Sequence, residues 1–107
     1  MNDELMISCM QIITYVGTAR SCYINAIQSA KEGNFEEAEK LMKDGEENFV
    51  QGHNGHGDLL AKEARGELGG AGLILIHAED QLMSAEGFHT IAEEFIELYK
   101  KLANENK

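Results

Sequence analysis

The chain has 107 residues with no Pro and no Trp, enough for one domain (1–107) around a single core that needs neither disulfide nor metal staple. Nine Lys and Arg against nineteen Asp and Glu give a formal net charge of −10, a field that repels phosphate backbones and anionic lipid headgroups and so argues against nucleic acid and membrane surfaces as partners. The same acidity serves solubility, or draws in a basic protein partner.

The first helix is expected from about residue 4 to 31. Leu5, Cys9, Ile12, Ile13, Val16, Ala19, Tyr23, Ile24, Ile27 and Ala30 recur at spacings of three and four, the mark of one apolar helical face. Gly17 inside it suggests a close backbone neighbour. Cys9 and Cys22 share this helix thirteen residues apart, which at ~1.5 Å per residue is too far for a disulfide.

Gly33 is a left-handed helix stop, and Asn34 with Glu37 three residues on reads as an N-cap with its capping-box partner. The second helix, 35–65, carries Ala38, Leu41, Met42, Phe49, His53, His56 and Leu60 as its stripe, and Gly52, Gly55 and Gly57 are expected to bend or fray its middle. The stretch from Gly66 to Gly72 lacks the Lys-Ser/Thr ending of a phosphate-binding loop and reads as a flexible connector. A third helix, 73–103, places Phe88, Ile91, Ala92, Phe95, Tyr99 and Leu102 on one face, and Leu73 to Ile76 is the one apolar run ambiguous between helix and strand. The fold class is therefore all-α: an antiparallel up-down-up three-helix bundle. So thin a bundle leaves apolar flank exposed, and oligomerisation is expected. No apolar run reaches the ~18 residues of a bilayer span and no basic leader precedes one, so the expected location is cytoplasmic.

The third-helix stripe, traced back in steps of three and four, passes through Ser84, Gln81, Ala78 and His77, which makes His77 face inward. Such a histidine is either a hydrogen-bonded core residue or a functional one. Asp80, about 60° round the helix from His77, also points toward the bundle or its neighbours, where it pairs with Arg20 or Lys62 or serves a function. His53 and His56 share a helix face as half a metal site but lack a matching ligand pair, and His89 carries no readable signal. There is no Gly-x-Ser-x-Gly elbow, and neither Cys has a base partner in sequence context. Neutral imidazole remains as a metal-independent nucleophile suited to neutral pH.

The segments Ala19-Arg20-Ser21, Lys31 to Ala38, His77-Ala78-Glu79-Asp80-Gln81-Leu82-Met83 and Phe95 to Tyr99, in this order and spacing, resemble the IIA component of the lactose/cellobiose (N,N'-diacetylchitobiose) family of the sugar phosphotransferase system. The likeness covers nearly the whole chain. It implies a homotrimer in which His77 takes a phosphoryl group from HPr and passes it to a cysteine of the sugar-specific IIB component, for uptake of a disaccharide of the lactose/cellobiose class. It further implies that the three Asp80 carboxylates meet at the threefold axis around one divalent cation, Mg2+. Two positions depart from the family pattern: Glu79 stands where Gln is usual and Gln81 where His is usual. The alternatives are a histidine phosphotransfer domain of a two-component relay, whose histidine would typically have a Lys or Arg beside it, and a non-catalytic acidic helical module recruiting a basic partner.

Overall fold

The computed structural model describes residues 3–70 and 72–106. Three helices fill it: α1 (Asp3–Lys31), α2 (Phe35–Ala64) and α3 (Gly72–Glu105). Among the described residues there is no strand, and Leu73 to Ile76 is helical.

The helix ends follow from local chemistry. After α1, Gly33 adopts φ +84°, its N–H bonds to Ala30 O at 3.0 Å, and the Asn34 N–H bonds to Ser29 O at 2.9 Å. This is the paired closure that satisfies orphan carbonyls at a helix end. Asn34 Oδ1 then accepts from the Glu37 N–H at 3.2 Å and starts α2 at once. The device recurs at the end of α2, where Gly66 has φ +71°, Gly66 N–H bonds to Glu63 O and Glu67 N–H to Lys62 O.

Contacts between helices fix their directions. Gly45 lies against Tyr23 and Gly52 against Val16, so α2 runs antiparallel to α1. Arg20 meets Gln81 and Tyr23 meets His89, so α3 runs parallel to α1. The result is the up-down-up bundle expected. Its core has two sections: Leu5, Cys9, Ile12 and Val16 meet Leu59, Leu75 and Leu82, and further along Tyr23 and Ala26 meet Met42 and Ile96. Each fully buried Val or Ile contributes about 1.5–3 kcal/mol. Alanines at 19, 26, 30, 38, 78, 85 and 92 are all buried and let the helices pack closely.

Four expectations are corrected. The gap at Gly17 is open, whereas a Cβ on Gly45 would sit 2.5 Å from Tyr23 Cε1 and one on Gly52 2.5 Å from Val16 Cγ1. Gly45, Gly52 and Gly55 are contact points for α1, and the helix passes through them and the open Gly57 unbroken. The buried face of α2 accordingly runs through Gly45, Gly52 and Leu59, leaving His53 and Leu60 exposed. In α3 the buried face runs Leu75, Ala78, Leu82, Ala85, Ala92 and Ile96. His77 is therefore exposed and does not face inward. Apolar residues surround α3 on nearly every side, and tracing back from Phe95 and Leu102, both exposed, follows the flank of the helix and misses its core face.

The bundle measures 60 × 18 × 17 Å, with a radius of gyration of 16.9 Å. A compact domain of this length has about 13 Å. The chain is a rod with a large surface for its volume.

Candidate functional site

His77 sits in the second turn of α3, exposed, and no side-chain hydrogen bond or ion pair engages it among the described residues. An imidazole held by nothing keeps both ring nitrogens available to a reactant. Asp80, three residues on, is also exposed and has no partner among the described residues. The expected pairing with Arg20 or Lys62 does not form, because Arg20 is engaged by α3 elsewhere and Lys62 faces Glu4 across 4.0 Å.

Asp80 lies within an unusual strip. Leu73, Ile76 and Met83, at helical spacings around it, are 82%, 63% and 70% exposed. Ile91 and Leu98 extend the same flank of α3, and Met6, Met10 and Ile24 are exposed on α1. A lone carboxylate inside an apolar strip of this length marks a surface that water alone serves poorly.

The residues flanking His77 along the chain are held on different sides of the helix. Glu79 is turned toward α2, its Oε1 3.5 Å from His56 Nε2, a buried nitrogen that has no hydrogen bond among the described residues. Its charge therefore points away from His77, at roughly 200° of helical rotation. Gln81 is turned toward α1, where its Oε1 accepts from Arg20 Nη1 at 2.6 Å and Ser84 Oγ lies 3.2 Å from the same nitrogen. Sequence reasoning missed this cluster, although Arg20 and Gln81 both fall on the flanks of stripes, where long polar side chains meet across helices.

The other histidines take structural positions. His89 Nε2 lies 3.0 Å from Glu46 Oε1 and Nδ1 3.2 Å from Glu93 Oε1, with the ring edge-on to Tyr23 at a centroid distance of 5.0 Å. His53 packs against Phe49. No group of three or more His, Cys, Asp or Glu side chains is placed to hold a metal among the described residues, so His53 and His56 gain no further ligands. Both thiols are free, and burial pushes them up from their ordinary pKa, with Asp44 adding to the effect at Cys22. Raised thiols are poor nucleophiles.

The comparisons with known proteins agree with the three-helix architecture. The family model described as "PTS system, Lactose/Cellobiose specific IIA subunit" matches residues 7–100. The chain is 38% identical over 105 residues to the lichenan-specific phosphotransferase enzyme IIA component of Bacillus subtilis, covering 98% of this chain and 96% of that one. Its fold superposes with a TM-score of 0.92 on the crystal structure of the cellobiose-specific enzyme IIA of Bacillus anthracis, at 38% identity and covering 97% and 95% of the two chains. With the IIA(chitobiose) solution structure from Escherichia coli, solved in complex with HPr, the TM-score is 0.80 at 28% identity, covering 95% and 99%. An all-helical rod with an exposed, unengaged histidine and this likeness over nearly its whole length belongs to the lactose/cellobiose-specific IIA family, the phosphotransferase components of sugar uptake.

Proposed function

We propose that His77 is the phosphoryl carrier. A ring nitrogen of the neutral imidazole attacks the phosphorus of phospho-HPr; the bond to the donor breaks as the new phosphorus–nitrogen bond forms. A cysteine thiolate of the IIB component then takes the phosphoryl group and returns free imidazole. The reaction asks little covalent chemistry of the protein beyond an accessible nucleophile and positioning. The observation carrying this reading is that His77, alone of the four histidines, is exposed and unengaged by any ring contact or ion pair among the described residues, while His53, His56 and His89 each have one. HPr is present with the chitobiose-specific relative in the solution complex, and the net charge of −10 favours a basic donor surface. No described helix is long and apolar enough to cross a membrane, which fits work in the cytoplasm beside a membrane transporter. The sugar is a disaccharide of the lactose/cellobiose class.

The working unit is a homotrimer, in which the apolar strip of α3 is covered by the same strip of two other copies. A single chain offers one carboxylate at position 80, short of any metal site, whereas three copies supply an oxygen-only set that suits Mg2+ with waters completing its shell. The cation would neutralise three converging charges and takes no part in transfer. Incubation with phosphoenolpyruvate and the general phosphocarrier proteins, followed by intact mass, should add one acid-labile, base-stable phosphate per chain. His77→Ala should accept none, while His53→Ala, His56→Ala and His89→Ala should accept it; phosphate on the His77→Ala protein would move the site elsewhere.

A further inference from the structure

Beside the proposed carrier, one side chain of α3 is held from behind by α1. Arg20 Nη1 donates to Gln81 Oε1 at 2.6 Å and reaches Ser84 Oγ at 3.2 Å, both in a half-buried setting. A guanidinium has N–H donors and no acceptor, so it can meet only the oxygen end of an amide. That contact settles which way the Gln81 amide is turned: its oxygen faces Arg20 and its NH2 group faces away. No acceptor takes the Nε2 hydrogens of Gln81 among the described residues. Gln81 follows His77 by four residues on α3, the spacing at which helical side chains share a face about 5–6 Å apart at Cβ.

We propose that Arg20 is a positioning residue for phosphoryl transfer, holding Gln81 so that its Nε2–H donates to an oxygen of the phosphoryl group on His77. The proposal rests on His77 being the acceptor. Phosphoryl oxygens only accept hydrogen bonds, and their charge is spread in the transition state, so a fixed donor aimed at them stabilises transfer without reorganisation. A free glutamine would present its oxygen as readily as its NH2 group, and the oxygen would repel the phosphate. The guanidinium removes that option and adds its own positive charge behind the amide. Glu79, pointed at His56 on the far side of the helix, does not compete for the amide.

The test uses the full chain with phospho-HPr as donor. Gln81→Met removes the donor without adding charge, and kcat for phosphate acceptance should fall about tenfold to a hundredfold, the worth of a hydrogen bond to a charged group. KM should stay within about twofold, because the bond forms with the transferring group and not with the donor protein's surface. Gln81→His returns a ring N–H and should recover most of the rate. Arg20→Met should slow acceptance like Gln81→Met, and Arg20→Lys, still able to donate to Gln81 Oε1, should restore it. In the unaltered protein the side-chain amide NMR signals of Gln81 should shift when His77 is phosphorylated, a readout independent of any variant's folding. Gln81→Met at the unaltered kcat, or Gln81 amide signals that ignore phosphorylation, would overturn the inference while leaving His77 as carrier. Absence of phosphate from the unaltered chain, or its presence on His77→Ala, would overturn both.

Discussion

At the scale of single residues, Tyr23 shows how burial and charge combine. It is 1% exposed in the core, its ring lies nearly perpendicular to that of His89, and burial with Glu46 nearby pushes its phenol up from 10 to about 12. The phenol ionises at its ordinary value once the chain unfolds, so this residue's contribution to stability is complete below pH 10. It is lost as pH rises from there through about 12, where the folded phenol ionises as well. The difference in tyrosinate absorbance between the unaltered chain and Tyr23→Phe should therefore rise only near pH 12 while the helices persist. A difference spectrum complete at pH 10 in folded protein would remove the argument. Tyr23→Phe should also flatten the alkaline loss of melting temperature between these two values.

Among the elements, α2 carries the clearest contrast between propensity and packing. Replacing glycine by alanine within a helix gains about 1 kcal/mol when nothing else changes. At Gly57, exposed and with nothing within 4 Å of an added Cβ, Gly57→Ala should raise stability by up to about that amount. At Gly45 the same methyl would lie 2.5 Å from Tyr23 Cε1 and 3.1 Å from Cys22 Cβ. Tyr23 is locked in the core, so Gly45→Ala should cost about 1–3 kcal/mol despite the better propensity. Urea melts of the two variants should move in opposite directions; two shifts of the same sign would mean that α1 and α2 meet less tightly than described. The helix starts and stops were legible because they are local: Gly33, Asn34, Glu37 and Gly66 each act on backbone groups a few residues away. The glycines inside α2 were not, because a glycine tolerated for want of contacts and one required by a neighbouring helix look the same in one dimension.

For the whole molecule, shape argues for assembly. A rod 60 Å long and about 18 Å across leaves Leu73, Ile76 and Met83 largely exposed beside Asp80. In the proposed trimer, three copies of Asp80 converge where solvent is thin, and each pair repels unless a cation lies between them. Asp80→Leu removes both the repulsion and the need for the ion, and exchanges of this kind are often neutral or stabilising by about 1–4 kcal/mol. The variant should sediment as a trimer, melt no earlier than the unaltered protein, ignore chelator and still accept phosphate on His77. The unaltered protein should lose melting temperature when the cation is stripped. A monomeric Asp80→Leu protein, or a trimeric one unable to take phosphate, would show that Asp80 has a different role.

The sequence by itself determined the number of helices, their ends to within two residues, their up-down-up order and the family, because three- and four-residue periodicity, glycine stops and the cap at Asn34 are properties of short stretches. Which face of α3 enters the core was decided only by the tertiary structure. Leucine, isoleucine, methionine and phenylalanine surround that helix, and α1 and α2 select among its possible faces: Leu75 and Leu82 pack with Leu5, Cys9, Ile12, Val16 and Leu59, and Ile96 packs with Ala19, Ala26 and Met42. That choice turned His77 and Asp80 outward, Glu79 toward His56 and Gln81 toward Arg20. Each of these placements depends on residues of another helix, distant along the chain, and nothing within His77 to Met83 encodes the neighbour that each side chain meets.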